Sequence, residues 1–167
     1  VEGISEKKLA DFWLHGGHVL LAGKKMSKSK GNILYIKDLL NRGYEPHHIR
    51  FLLIYGGYRK SLNLNENRVH CARGRVDAFR AMAGRIREQE QPAARGTSEA
   101  ASLAGRLEPD FKSRMNDNLD VKSAFDRTYS SVCRLLDLAI QGNLGSEGVN
   151  AVQKSLARID SVLKILF

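Results

Sequence analysis

A chain of 167 residues with 43% apolar side chains can hold one packed domain, or one compact unit with an extension. Its 27 basic residues against 18 acidic ones leave a net charge of +9, which calls for a polyanionic partner without naming it. No apolar run approaches the length of a membrane span and no charged-then-apolar start resembles a signal peptide, so a soluble, cytoplasmic protein without a membrane partner is expected.

Taken in order, residues 5–15 read as a short helix capped by Ser5, with Leu9, Phe12 and Trp13 on one face and Gly16-Gly17 as its stop. Residues 18–21 read as a strand, Ala22-Gly23 as a turn and residues 33–36 as a second extended piece, which holds a lysine-rich loop between two short strands. Ile36, Leu39 and Leu40 mark a helix that stops near Gly43. Pro46 opens the next one, where its missing amide hydrogen costs nothing; Ile49, Leu52 and Leu53 form its apolar face and Gly56-Gly57 break it.

Asn65 then caps a long helix in which Val69, Ala72, Val76, Phe79, Ala83 and Ile86 recur at alternating steps of three and four. Residues 92–97 read as a linker. Ser98 caps a helix carrying Leu103 and Leu107, Pro109 interrupts it, and Phe111 and Met115 continue on a separate short piece. Asp120 caps a helix with Val121, Phe125, Val132, Leu135, Leu136 and Ala139 inward, ended by Gly142. Ser146 caps the last, with Val149, Val152, Leu156, Ile159, Leu163 and Leu166. The expected fold is mainly α: a helical bundle over residues 65–167, preceded by a small α/β region over residues 1–64 with two short strands. Cys71 and Cys133 lack metal or redox spacing and read as reduced core thiols. Val1 at the start and Phe167 within an apolar helical pattern read as the ends of a fragment.

The stretch Lys24-Lys25-Met26-Ser27-Lys28-Ser29-Lys30-Gly31-Asn32 packs four lysines and two hydroxyls into nine residues with no acid among them. Ammonium point charges, hydroxyl donors and a glycine that lets backbone amides approach a ligand suit a polyphosphate. It is not the Walker pattern, which needs a glycine-rich run before its lysine. On charge alone, a solvated basic loop is the plainer alternative.

The order of these residues is more specific. Lys25-Met26-Ser27-Lys28-Ser29 matches at all five positions the second signature loop of class I aminoacyl-tRNA synthetases, with Gly31-Asn32 as its usual continuation. Phe12-Trp13-Leu14-His15-Gly16-Gly17-His18-Val19 resembles the lead-in to that loop in cysteinyl-tRNA synthetases. Ile49-Arg50-Phe51-Leu52-Leu53, then Gly57-Tyr58-Arg59-Lys60-Ser61-Leu62-Asn63, resemble the family's segments downstream of the loop, and Met115-Asn116-Asp117-Asn118-Leu119-Asp120 its methionine and acidic run. The resemblance covers residues 10–140 in order, without large gaps. Lys60-Ser61 replaces the family's Ser-Pro, and Asn116 and Asn118 dilute the acids; both departures leave the loop intact.

The resemblance implies activation of cysteine by ATP as an adenylate and transfer to tRNA. The attacking carboxylate is already ionised, so the first step needs no general base but needs charge neutralised as pyrophosphate departs. In that chemistry Lys28 is the main catalytic candidate and Lys25 its support. Ser27 and Ser29 would hold phosphate oxygens or the loop itself, Met26 would present its backbone near adenine, and Lys30 and Gly31 would complete the ATP-binding stretch. ATP would be shared with a nucleotide-binding domain outside this chain, and the family's zinc would lie in that upstream domain. Without that domain the chain alone is expected to be inactive.

His15-Gly16-Gly17-His18 formally fits the other class I signature, but His18 and Lys25 are only seven positions apart. That gap cannot contain the nucleotide domain across which the two signatures face each other, so these histidines are not read as catalytic. His47-His48 and His70-Cys71 are adjacent pairs that diverge by about 100° on a helix, so no metal site is expected in this chain. Arg68, Arg73, Arg75, Arg80, Arg85 and Arg87 form a candidate tRNA-binding face, with Arg73, Arg80 and Arg87 seven apart; the alternative is a solvated helix face eased by Arg73 with Asp77, and Tyr58-Arg59 reads either as a stacking contact to RNA or as packing between domains. The rivals to the synthetase reading are a stand-alone non-catalytic RNA-binding module and a related ATP-dependent cysteine ligase acting on a small amine.

Overall fold

The computed structural model describes Lys8, residues 10–89 and residues 96–167. The front region is built on a three-stranded sheet of β1 (Val19–Leu21), β2 (Lys24–Lys25) and β3 (Leu62–Leu64), in the order β2-β1-β3. β1 pairs antiparallel with β2, Leu20 opposite Lys25, and parallel with β3, Leu20 opposite Asn63. The β1–β2 turn has positive φ at both Ala22 (48°) and Gly23 (77°), as a two-residue hairpin turn of this hand requires. Alanine in that conformation costs about 1 kcal/mol. Asn63 offsets this, its Oδ1 accepting the Gly23 amide at 2.7 Å, while the Ala22 amide donates to the Leu64 carbonyl at 2.9 Å. Before β1, the Gly17 amide donates to the Tyr58 carbonyl at 2.6 Å, and a Cβ at Gly17 would collide with the backbone of Lys60. Only glycine permits that approach.

The second strand therefore lies in the lysine stretch itself, whereas residues 33–35 are unpaired and lead into the first helix. The third strand pairs with a partner some forty positions earlier, a distance at which local periodicity is silent. The helix expected over residues 5–15 is absent from the described part of that stretch: residues 12–18 are irregular and Phe12 is 92% exposed, so no core selects a helical face. Ser5 and Leu9 lie outside the described residues.

Among the described residues the helices are α1 (Ile36–Asn41), α2 (Pro46–Ile54), α3 (Glu66–Glu88), α4 (Ser98–Asn116), α5 (Val121–Ile140) and α6 (Gly145–Leu163). Asn65 Oδ1 caps α3 through the Arg68 amide at 2.8 Å, and Asp120 Oδ1 caps α5 through the Ser123 amide at 3.1 Å. The expected α3 stripe from Val69 to Ile86 is buried throughout. In α1 only Leu39 turns inward; Ile36, Leu40 and, on α2, Leu53 are exposed, and Phe51 fills the core instead.

α4 runs through Pro109 without a break. Pro109 and Gly105, whose carbonyl loses its i+4 donor, both lie on the solvent side, where water can satisfy that carbonyl. The cap of α4 is Thr97, its Oγ1 accepting the Ala100 amide at 3.3 Å, one residue ahead of Ser98. α6 starts at Gly145 with no side-chain cap in place of Ser146. Cys71 and Cys133 are free but exposed, not core thiols. Of the expected linker, residues 92–95 lie outside the described residues.

One apolar cluster runs from Leu39 through all four long helices to Leu166, crossing the Leu64–Asn65 junction without interruption. Its aromatic centre joins α2 to the bundle: Phe51 packs on Phe125 at 4.5 Å between ring centroids, and Phe79 on Phe125 at 5.2 Å. Beside it, Arg75 donates to Tyr55 Oη (2.6 Å) and Asp126 Oδ1 (2.7 Å), Tyr55 donates to the same oxygen at 2.7 Å, and Lys122 holds Oδ2 at 2.6 Å. At the far end, buried Asp160 accepts the amides of Ile165 (2.7 Å) and Leu166 (2.8 Å), turning the last residues back onto the core.

Candidate functional site

The lysine loop leaves the sheet at β2 and returns through residues 33–35 to α1. Its centre is a 3-10 turn, Lys28–Lys30, closed by Gly31 in the left-handed conformation (φ 63°) with its amide on the Lys28 carbonyl at 3.2 Å. Asn32 stitches the two ends together. Its Oδ1 accepts the Ser27 amide at 2.9 Å and its Nδ2 donates to the Lys25 carbonyl at 3.1 Å. The hydroxyls of Ser27 and Ser29 are 2.8 Å apart and share one hydrogen bond, which leaves the donor's partner free to turn its own proton outward.

Lys24, Lys25, Lys28 and Lys30 are all exposed, and none forms an ion pair among the described residues. Met26 is half-buried and packs against the core, which anchors the loop from below. A cleft of about 900 Å³ beside it is lined by Ala22 from before the loop, Leu34 from after it, and Tyr44 and Val69 among others. The arrangement is a fixed backbone ring displaying cations and a hydroxyl to solvent, suited to oxygens of a polyphosphate.

The arginine face is less uniform. Arg80 is drawn inward, donating to the Ile165 carbonyl at 3.0 Å. Arg73 pairs with Asp77 at 3.5 Å and lies 5.9 Å over the Tyr44 ring. Arg87 is exposed with no partner among the described residues, and exposed Arg59 stacks 5.2 Å over Tyr58. Seven-residue spacing puts these arginines on one side of α3, but two of the three on the helix already have partners.

His47, His48 and Asp77 each bring one potential ligand atom within 4.8 Å of the others, a grouping that adjacent positions on a helix did not foretell. Its donor chemistry does not fit zinc. His48 Nδ1 accepts the Glu45 amide at 3.0 Å, so Nε2 carries the hydrogen and donates to Asp77 Oδ1 at 2.7 Å. Neither nitrogen of His48 has a lone pair free. His47 is held below the ordinary imidazole value by burial, then by His48 and Arg80, and Arg73 adds a further cation at Asp77.

Sequence reasoning missed Asn63, whose side chain holds the turn that launches the lysine loop. The signal was an Ala-Gly pair needing two left-handed residues, for which an asparagine acceptor nearby is a natural brace.

Comparison with known proteins finds relatives that match 99% of the chain and a family model that matches its first part. A family model described as the class I (C) tRNA synthetase catalytic domain matches residues 2–74. The cysteine–tRNA ligases of Solibacter usitatus and Koribacter versatilis are each 32% identical over 166 residues, covering 99% of this chain and 35% and 33% of those proteins. That of Chlamydia pneumoniae is 27% identical over 165 residues, again 99% of this chain and 35% of the relative. The chain thus spans about a third of the length of the curated relatives it matches. With the five-residue lysine signature, its lead-in and its sequel all inside the matched length, the chain belongs to the cysteinyl-tRNA synthetase family.

Proposed function

We propose that this chain supplies the phosphate-clamping loop and part of the tRNA-binding surface of a cytoplasmic enzyme that activates cysteine with ATP and passes it to tRNA. The observation that carries the reading is the Asn32-stitched turn, which displays Lys25, Lys28 and Lys30 with no acidic partner among the described residues. In the activation step the cysteine carboxylate attacks the α-phosphorus and the bond to the bridging oxygen of pyrophosphate breaks. Negative charge grows on the departing oxygens. Lys28, at the head of the 3-10 turn, neutralises that charge, Lys25 assists from the strand end, and the Ser27–Ser29 pair donates one hydroxyl hydrogen to a phosphate oxygen.

Met26 contributes its backbone beside adenine, with its side chain seated on the core. Lys30 and Gly31 complete the ring of groups around the phosphates. A nucleotide-binding domain outside this chain holds the rest of ATP. The zinc by which this family selects cysteine finds no ligand set in His47, His48 and Asp77. For tRNA, Arg87 is exposed without a partner among the described residues and Arg59 is exposed on the Tyr58 ring, whereas Arg73 and Arg80 are held by Asp77 and by the Ile165 carbonyl.

The test is cysteine-dependent exchange of pyrophosphate into ATP, together with charging of tRNA, by the complete protein that carries this chain. Both activities are expected, and neither from residues 1–167 alone. Exchange without tRNA charging would favour a ligase acting on a small amine. Binding of tRNA without exchange would favour a non-catalytic RNA module.

A further inference from the structure

A second concavity, of about 660 Å³, lies away from the lysine loop, between the Gly16-Gly17 lead-in, the loop after α2 and the start of α5. Three cations line it, Lys60, Arg68 and Lys122, and no acidic residue does. Lys122 is held by Asp126 at 2.6 Å, whereas Lys60 and Arg68 are exposed and have no acidic partner among the described residues. Its walls are otherwise apolar and aromatic, with Tyr58 and the exposed Leu53 and Leu119.

Leu119 is displayed there at a conformational cost. Asn118 and Leu119 are consecutive left-handed residues (φ 53° and 55°), a geometry asparagine adopts readily and leucine at a cost of about 1 kcal/mol, with the Leu119 amide donating to the Met115 carbonyl at 3.1 Å. The turn is pinned by Tyr58, whose hydroxyl donates to Asn118 Oδ1 at 3.2 Å. Leucine nonetheless stays 41% exposed at the groove, so the strain is not repaid by burying its side chain. A strained apolar residue and a tyrosine beside two unneutralised cations make a surface for something both flat and anionic.

We infer that this groove takes an unpaired RNA nucleotide, its base against Tyr58 and Leu119 and its flanking phosphates on Lys60 and Arg68. The inference rests on the reading that the polyanion served is tRNA, and adds a place where one of its single-stranded segments docks. Charge complementarity calls for a polyanion, through a net charge of +9 and an acid-free lining, and among polyanions a nucleotide adds to its phosphates a flat π face that a Tyr58 and Leu119 wall accepts. A duplex, whose bases are stacked inside, cannot use the apolar wall.

The test is equilibrium binding of deacylated tRNA to the complete protein across a salt series. Lys60→Ala with Arg68→Ala should weaken binding on the order of tenfold and lower the log–log salt slope by about two, one for each lost phosphate contact. Tyr58→Ala should weaken binding about fivefold or more with the slope unchanged, because stacking releases no counterion. Arg106→Ala, an exposed arginine on α4, should leave both readouts at the wild-type value. Thermal unfolding verifies each fold; should the double variant not fold, Arg68→Gln alone should lower the slope by about one. A double variant with wild-type affinity and slope overturns the groove and leaves the tRNA reading standing. A wild-type protein that does not bind tRNA overturns both, and a blunt RNA duplex that competes as well as tRNA overturns the unpaired nucleotide.

Discussion

The side-chain amide of Asn32 accepts the Ser27 amide hydrogen at 2.9 Å and, through its other end, donates to the Lys25 carbonyl at 3.1 Å. One residue beyond the lysine turn therefore fixes the backbone on both sides of Met26. Asn32→Ala removes both bonds in an exposed loop, where each is worth about 1 kcal/mol. We expect a change of only a few degrees in Tm, but a clear loss of hydrogen-exchange protection at the Ser27 amide and a fall in turnover at saturating ATP. Asn32→Asp keeps the acceptor and should retain the Ser27 protection.

Gly17 and its neighbour make a paired test of the strand lead-in. A Cβ at Gly17 meets the Lys60 backbone, while one at Gly16 comes no closer than 3.7 Å to the Tyr58 carbonyl. Gly17→Ala should destabilise by about 2 kcal/mol or more, since backbone must move. Gly16→Ala should lie within about 0.5 kcal/mol of wild type in urea unfolding.

Much of the bundle was legible because its signals are local. The α3 stripe needs only the step of three and four, and Asn65 and Asp120 announce their helices through their own side chains. The lysine turn was legible as a motif, and its glycine and asparagine close it as their chemistry suggests. The illegible features depend on partners far along the chain. β3 exists because Leu62–Leu64 pairs with β1 across some forty residues, and Arg80 looks free until the Ile165 carbonyl folds back beside it. Phe12 and Trp13 suggested a buried helical face, but no described element covers them. Pro109 looked like a stop because its position relative to solvent was not known.

Asp126 links stability to pH at the seam between α2, α3 and α5. Burial alone would raise its carboxyl, but the Lys122 and Tyr55 hydrogen bonds and the Arg75 charge outweigh that and hold it below the ordinary 3.8. Its stabilisation is therefore present above pH 3.8 and lost as pH falls through the depressed folded value. Tyr55 is pushed above 10.0, first by burial and then by its bond to Asp126, so its contribution is complete below pH 10.0 and lost as pH rises through the elevated value. Asp126→Asn should cost about 1–3 kcal/mol near neutrality, and its difference from wild type should shrink in acid. Urea midpoints measured from about pH 7 down to about pH 2, through the window below 3.8, check this.

Asp160 plays a similar part at the other end. It accepts the Ile165 and Leu166 amides and, at 3.3 Å, that of Phe167, while Arg50 donates to the Leu163 carbonyl at 2.5 Å and caps α6. Asp160→Ala strands buried amides and should cost about 3 kcal/mol, whereas Asp160→Asn keeps an acceptor oxygen and should cost about half as much. An unchanged denaturant slope with a lower midpoint would mark this as lost stability in a fold that is kept.

The central claim is that Lys28 acts on the charge that develops on departing pyrophosphate. The direct measurement is cysteine-dependent pyrophosphate exchange by the complete protein with Lys28→Ala. The expected result is a fall in kcat of about a hundredfold or more with the KM for ATP within a few fold, the pattern of an interaction made in the transition state. A variant with wild-type kcat, or one whose whole defect lies in the KM for ATP, would contradict it.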